Sequence, residues 1–225
     1  MMLASLHLPF WNICAGAVTG AVIGSFVATL VLRWEQDQSV TKGRSRCDSC
    51  GTELKAGDLI PLLSFVWQHG RCRYCRAAID PFHWHVELMM ALIGAAAFAF
   101  QPPLHAAGWL ALGGLLCALA LLDARNLWLP DRLTALLAIS GLAAGSMLAA
   151  TSINDALIGL CVGYASLAVI AFTYRRLRGH EGLGGGDAKL LAGLGAWFGW
   201  QAITPIVLAA TIGALIWVAV QHLRG

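Results

Sequence analysis

The tightest constraint on this chain is a repeated one: apolar runs long enough to cross a bilayer. A spanning helix needs roughly 20 predominantly apolar residues, and the first such run extends from about Leu8 to Leu32. A polar stretch continues to about His83. Further runs cover roughly 84–101, 104–122, 133–150, 155–174, 188–200 and 202–221, the sixth short and glycine-rich. Backbone groups in lipid must be satisfied inside their own segment, so the runs read as helices. The expected fold is an all-α, polytopic membrane bundle of about seven spans, or eight if the last runs divide differently. Composition agrees: 58% of the 225 residues are hydrophobic and only 12% charged, against roughly 25% charged in soluble domains. That excludes a disordered chain, a collagen-like repeat and a cytosolic globular enzyme. The first run has no basic residue before it and no clear small-residue cleavage site before Arg33, so it reads as a retained span.

Threading the spans sorts the charges. Of 15 basic residues, eight fall in the long loop after the first run, and Arg125 and Arg132 lie between the third and fourth. Arg175, Arg176, Arg178 and Lys189 lie between or beside the fifth and sixth, and Arg224 follows the last. All of them thus share one side, which the positive-inside rule makes cytoplasmic, with the N-terminus outside. Among charged residues only Asp155 falls on the outer side. The net charge of +3 is too small to imply a nucleic-acid partner. The chain therefore divides into a first span (1–33), a cytoplasmic loop (34–83) and a membrane domain (84–225).

The loop carries two Cys-x-x-Cys pairs, Cys47-Asp48-Ser49-Cys50 and Cys72-Arg73-Tyr74-Cys75, separated by 21 residues. This approximates a four-thiolate zinc ribbon at the long edge of its spacing range. Each pair offers two thiolates from one tight turn, and four close a tetrahedron with no open position, so the expected zinc is structural. Two disulfides are the alternative, disfavoured on a reducing cytoplasmic face. Cys14, Cys117 and Cys161 lie inside spans and read as small apolar packers.

Three carboxylates sit where lipid makes them costly. Asp131, before Leu133-Thr134, suits the N-cap of the fourth span. Asp123 closes the third span, at the helix end whose dipole prefers a cation. Asp187 opens the sixth span behind Gly182-Leu183-Gly184-Gly185-Gly186. It could cap that helix, but four glycines are more than a cap needs; they suit backbone approached closely or opened to water. By threading, Asp123 and Asp187 lie at similar depth on the cytoplasmic side. Two facing carboxylates share a proton, one activating water while the other polarises a carbonyl. Ion transport would use the same residues, so a small transporter or channel is the alternative reading.

At these residues the sequence resembles the type IV prepilin peptidases, integral-membrane aspartic peptidases of bacterial pilus and type II secretion systems. The resemblance spans nearly the whole chain. It runs through Gly24-Ser25-Phe26, the cysteine pairs with Ile60-Pro61-Leu62-Leu63-Ser64 between them, Val86-Glu87-Leu88, Asp123 with Leu129-Pro130-Asp131, and Glu181-Gly182-Leu183-Gly184-Gly185-Gly186-Asp187-Ala188-Lys189-Leu190. It implies Asp123 and Asp187 as the catalytic pair, with Gly184, Gly185, Gly186, Lys189 and Asp131 shaping the site. It also implies cleavage of a short basic leader from prepilins or pseudopilins, after glycine, at the cytoplasmic face of the inner membrane. Many such enzymes then methylate the new N-terminus with S-adenosylmethionine. Here the pattern departs at Ala28, at Trp34-Glu35 after Arg33, and at Leu59, in the region tied to methyl transfer. Lys189 could attract an acidic substrate residue or simply snorkel. The basic loop could present the leader or hold anionic membrane lipid.

Overall fold

A computed structural model describes residues 10–35, 44–180 and 182–224. The first apolar run is helix α1 (Phe10–Glu35). The polar loop contains a 3-10 turn (Ala56–Leu59) and a five-residue helix, α2 (Leu63–Trp67). Then come α3 (Phe82–Phe100), α4 (Pro103–Asn126), α5 (Asp131–Leu148), α6 (Ile153–Arg178), α7 (Gly185–Phe198) and α8 (Ile203–Arg224). Among the described residues the only β-type pairing is two isolated bridges, so the all-α expectation holds.

Five helices, α1, α3, α4, α6 and α8, are long and apolar enough to cross a membrane, and the protein is an integral membrane protein. The other two expected spans form helices that fall short of that standard. α5 has 18 residues and starts on Asp131-Arg132, and α7 has only 14. At 1.5 Å per residue α7 is about 21 Å long, less than the roughly 30 Å hydrocarbon core.

The helix ends follow local chemistry. Pro103 starts α4, where its missing N–H costs nothing. Ser152 caps α6 by accepting the Asp155 N–H at 3.1 Å. The Asp155 carboxylate in turn accepts from Trp200 Nε1 at 2.9 Å and Gln201 Nε2 at 3.1 Å. Asp155 is thus occupied in closing the turn between α5 and α6 and holding the segment before α8. Gly199, at φ 78°, breaks the last apolar stretch into α7 and α8, a left-handed conformation that glycine adopts without steric cost.

The chain forms two compact units, Met1–Leu127 and Trp128–Gly225. In the first, α1 packs on α3 along Gly16, Gly20 and Gly24, one residue per turn. A Cβ at Gly24 would stand 2.7 Å from Glu87 Cα, and those at Gly16 and Gly20 would overlap the carbonyls of Gly94 and Met90. Without a hydrophobic drive between helices in lipid, such small-residue faces let backbones approach and gain dispersion contact. In the second unit, α7 is sheathed by α5 and α6. Gly159 meets Gly195 backbone to backbone, and Trp197, 3% exposed, donates its Nε1–H to the Leu137 carbonyl of α5 at 3.0 Å. Thr151 closes the same corner by donating to the Trp197 carbonyl at 2.9 Å. The short, buried helix carries Asp187 at its start.

Candidate active site

Asp123 occupies the last turn of α4 and is half-buried. That turn ends on Leu127, whose φ of 50° is unusual for a branched residue, and whose N–H reaches the Asp123 carbonyl at 2.8 Å. In the second unit Asp187 is the third residue of α7, inside its first turn, and also half-buried. The glycines before it divide into two kinds. A Cβ at Gly186 would meet Leu129 Cβ at 2.9 Å, and Tyr174 leaves no room for one at Gly182. A Cβ at Gly184 would lie at an ordinary 3.6 Å from Asp187 Oδ2, and at Gly185 nothing lies within 4 Å. Packing therefore accounts for Gly182 and Gly186, while Gly184 and Gly185 leave the approach to Asp187 open. Glu181, the first residue of the motif, lies outside the described residues.

Asp131 is not the N-cap of its helix. Pro130 takes the cap position, and Asp131 is the first helical residue. Its Oδ1 accepts from Lys189 Nζ at 2.5 Å, bridging the starts of α5 and α7. Both side chains are well exposed, so the pair is screened and its energetic worth small. Asp123 and Asp187 stand in different units.

The cysteine spacing resolves into two hairpins of the same design. The Cys47 N–H bonds the Thr52 carbonyl at 3.0 Å and the Cys72 N–H bonds that of Ala77 at 2.8 Å. The Sγ atoms of Cys47, Cys50, Cys72 and Cys75 all lie within 4.8 Å of one another, with Cys47 and Cys75 at 3.9 Å. A tetrahedron with bonds of about 2.3 Å has edges of about 3.8 Å, so the cluster can hold a metal ion. Its protonation points the same way. Thr52, through its hydroxyl and its backbone, holds the Cys50 thiol down to about 6. The Cys72 thiol is also lowered, by the backbone N–H groups of Cys75 and Tyr74. At Cys75 the Ala77 N–H favours the thiolate, yet desolvation and the three neighbouring thiols push it up to about 11. Four crowded sulfurs cannot all ionise without a cation among them.

Residues 18–100 match the Bacterial Peptidase A24 N-terminal domain and residues 110–219 match the Type IV leader peptidase family. The chain belongs to the type IV leader peptidase family. The "Prepilin leader peptidase/N-methyltransferase" of Pectobacterium carotovorum subsp. carotovorum is 34% identical over 92% of this chain and 82% of its own. The proteins of that name from Aeromonas hydrophila and Pseudomonas aeruginosa are 41% and 40% identical, each over 80% of this chain and 63% of their own. No solved structure matches.

In this leader peptidase, two further carboxylates have structural roles that the sequence does not display, Asp58 and the Glu87 of the Val86-Glu87-Leu88 motif. Asp58, its side chain only 3% exposed, accepts from Lys55 N–H at 3.1 Å, Gln68 Nε2 at 3.4 Å and Tyr74 OH at 3.3 Å, with Arg73 at 3.6 Å. It thereby ties the 3-10 turn to α2 and to the second cysteine hairpin. Burial and the Asp58 charge raise the Tyr74 phenol, which keeps it a donor. Glu87, 7% exposed in the second turn of α3, accepts the Leu62 N–H at 2.8 Å. Leu62 has φ 62°, so this bond holds a strained hinge between the loop and the membrane helices.

Proposed function

We propose that this family member is an aspartic endopeptidase of the bacterial inner membrane that removes the basic leader of prepilins or pseudopilins, cutting after glycine at the cytoplasmic face. Asp123 and Asp187 form the dyad. The observation that carries the reading is that both fall within the matched leader-peptidase segment, each in the terminal turn of a helix. One carboxylate takes a proton from water as the oxygen attacks the carbonyl carbon of the glycine. The other, protonated, donates to the carbonyl oxygen. Collapse of the tetrahedral intermediate breaks the C–N bond, and the leaving amine takes the proton. The pair titrates as a unit. Gly184 and Gly185 leave space for the substrate backbone. Lys189 and Asp131 brace the helix starts beside Asp187. The N-terminus is periplasmic and the loop cytoplasmic, following the sorting of basic residues.

The metal of the cysteine cluster is zinc, held by Cys47, Cys50, Cys72 and Cys75 in a closed, structural site. N-methylation of the new N-terminus is a second activity, supported by the relatives' names. Its donor would be S-adenosylmethionine. Ala28 is fully buried and offers a bound donor no hydrogen bond, so this region does not display the fit. Incubating the purified protein with a prepilin in detergent or lipid tests the proposal: a shortened product is expected, and an intact prepilin would refute it.

A further inference from the structure

The cytoplasmic loop contains a second feature beside its cysteines. A half-open cavity of about 350 Å³ is lined by Asp58, Trp67, His69, Arg71, Arg73 and Arg76, with Gly57 and Gln68 filling its wall. Its charges are unequal in their commitments. Asp58 is satisfied by the four donors described above, and Arg73 is one of them. Arg71 and Arg76 make no ion pair with any described residue. Two arginines, whose guanidinium groups are built for forked hydrogen bonding to an oxyanion, therefore line the cavity without an ion-pair partner among the described residues.

The backbone adds a second observation. The cysteine hairpins are alike, and the residue after the last cysteine of each is left-handed: Gly51 at φ 69° and Arg76 at φ 64°. Glycine takes that conformation freely, whereas arginine does not. His69, on the same cavity wall, is also left-handed at φ 52°. Two disfavoured side chains around one cavity mark it as a place where side-chain identity outweighs local comfort.

A third observation concerns position. The Glu87 carboxylate, in the second turn of α3, holds Leu62, and Phe65 of α2 stacks near Trp84 of α3 with centroids 6.0 Å apart. The 3-10 turn and α2 are thereby fixed at the level of the first turns of α3, a helix long and apolar enough to cross a membrane. Beside the cavity, Leu59, Ile60, Leu63, Val66 and Trp67 are all exposed, Trp67 at 65%. An apolar patch ending in tryptophan at that level suits the membrane interface, where amphipathic rings settle among headgroups.

We propose that this cavity holds the phosphate-bearing headgroup of an anionic membrane lipid, with Arg71 and Arg76 on the phosphate and the Leu59–Trp67 segment seated in the interface beside it. The loop is then docked on the membrane at two points, through Glu87 on α3 and through lipid. The inference does not rest on the peptidase reading, because its test reads lipid and not cleavage.

Full-length protein in nanodiscs of phosphatidylcholine and phosphatidylglycerol, released into native mass spectrometry, reports which lipids stay bound. Wild type is expected to retain phosphatidylglycerol in preference to phosphatidylcholine. The double variant Arg71→Gln, Arg76→Gln is expected to lower that retention about tenfold. Trp67→Ala alters an exposed side chain that the fold does not need, and it should lower retention as well. Equal retention of the two lipids by wild type would overturn the proposal, as would unchanged phosphatidylglycerol retention in both variants. Displacement of the lipid by millimolar inorganic phosphate alone would make this a free-phosphate site and equally refute it.

Discussion

The cysteine cluster and the aspartates place polar groups beside a membrane by opposite routes. Each pair of thiols is fixed by one hairpin a few residues long, and the whole site closes within a single loop. The aspartates are 64 residues apart, one in the last turn of α4 and one in the first turn of α7. The first site depends on turn geometry, whereas each aspartate depends on the helix end that carries it. In the proposed function their tasks are separate, with chemistry in the membrane domain and shape in the loop. The largest expected effect tests that division. Asp123→Asn or Asp187→Asn should each lower cleavage by about 10⁴-fold or more, while insertion and bound metal stay as in wild type. Prepilin processing by either variant at the normal rate, followed on a gel, would end the dyad assignment.

The opposite perturbation is the double variant Cys72→Ser, Cys75→Ser. Two of four ligands are lost, and with them a structural zinc whose binding is worth on the order of 10 kcal/mol in small zinc domains. Metal analysis should find no zinc, and limited proteolysis should cut the loop between Arg44 and Arg76. Cleavage of prepilin should fall less than in the Asn variants. Full stability and an uncut loop would refute a structural role for the metal.

The two sites were also unequally legible. Cys-x-x-Cys spacing is a local code, so the four cysteines could be read directly as one set, and the hairpins bring their sulfurs within 4.8 Å of one another. The aspartates were conspicuous because charge at a helix end in lipid is costly, but spacing alone could not pair them. The roles of Asp58 and Glu87 stayed hidden because they are tertiary: Glu87 meets a backbone N–H 25 residues away, and Asp58 gathers donors from four places. The same reason hid the Asp131–Lys189 pair, whose members are 58 residues apart. Helix runs were readable from hydrophobicity. Their ends were less so, since Pro130 displaced Asp131 from the cap and Gly199 set where α7 stops.

The glycines before Asp187 allow a finer test of what belongs to packing and what to substrate. Gly186→Ala puts a methyl 2.9 Å from Leu129 Cβ, an overpacking that costs about 1–3 kcal/mol and should lower thermal stability. Gly185→Ala meets nothing, so stability should hold or rise slightly. If that open face admits the substrate backbone, the added methyl should still slow cleavage. A Gly185→Ala enzyme with wild-type kinetics would mean that the open face serves no part of the reaction.

The smallest effect belongs to Lys189. Its ion pair with Asp131 is short, but the two side chains are 40% and 75% exposed, and exposed pairs contribute about 0–1 kcal/mol. Lys189→Met keeps the stem that covers α7 while removing the charge. Thermal stability should therefore change by no more than about 1 kcal/mol. The kinetics then separate two roles. If Lys189 only braces the helix starts, kcat and KM stay near wild type at every salt concentration. If it attracts an acidic substrate residue, KM rises in the variant at low salt and converges with wild type at high salt, where screening removes the attraction. The observed pairing with Asp131 favours the first outcome, because a lysine already held by a carboxylate has less charge to offer an incoming substrate.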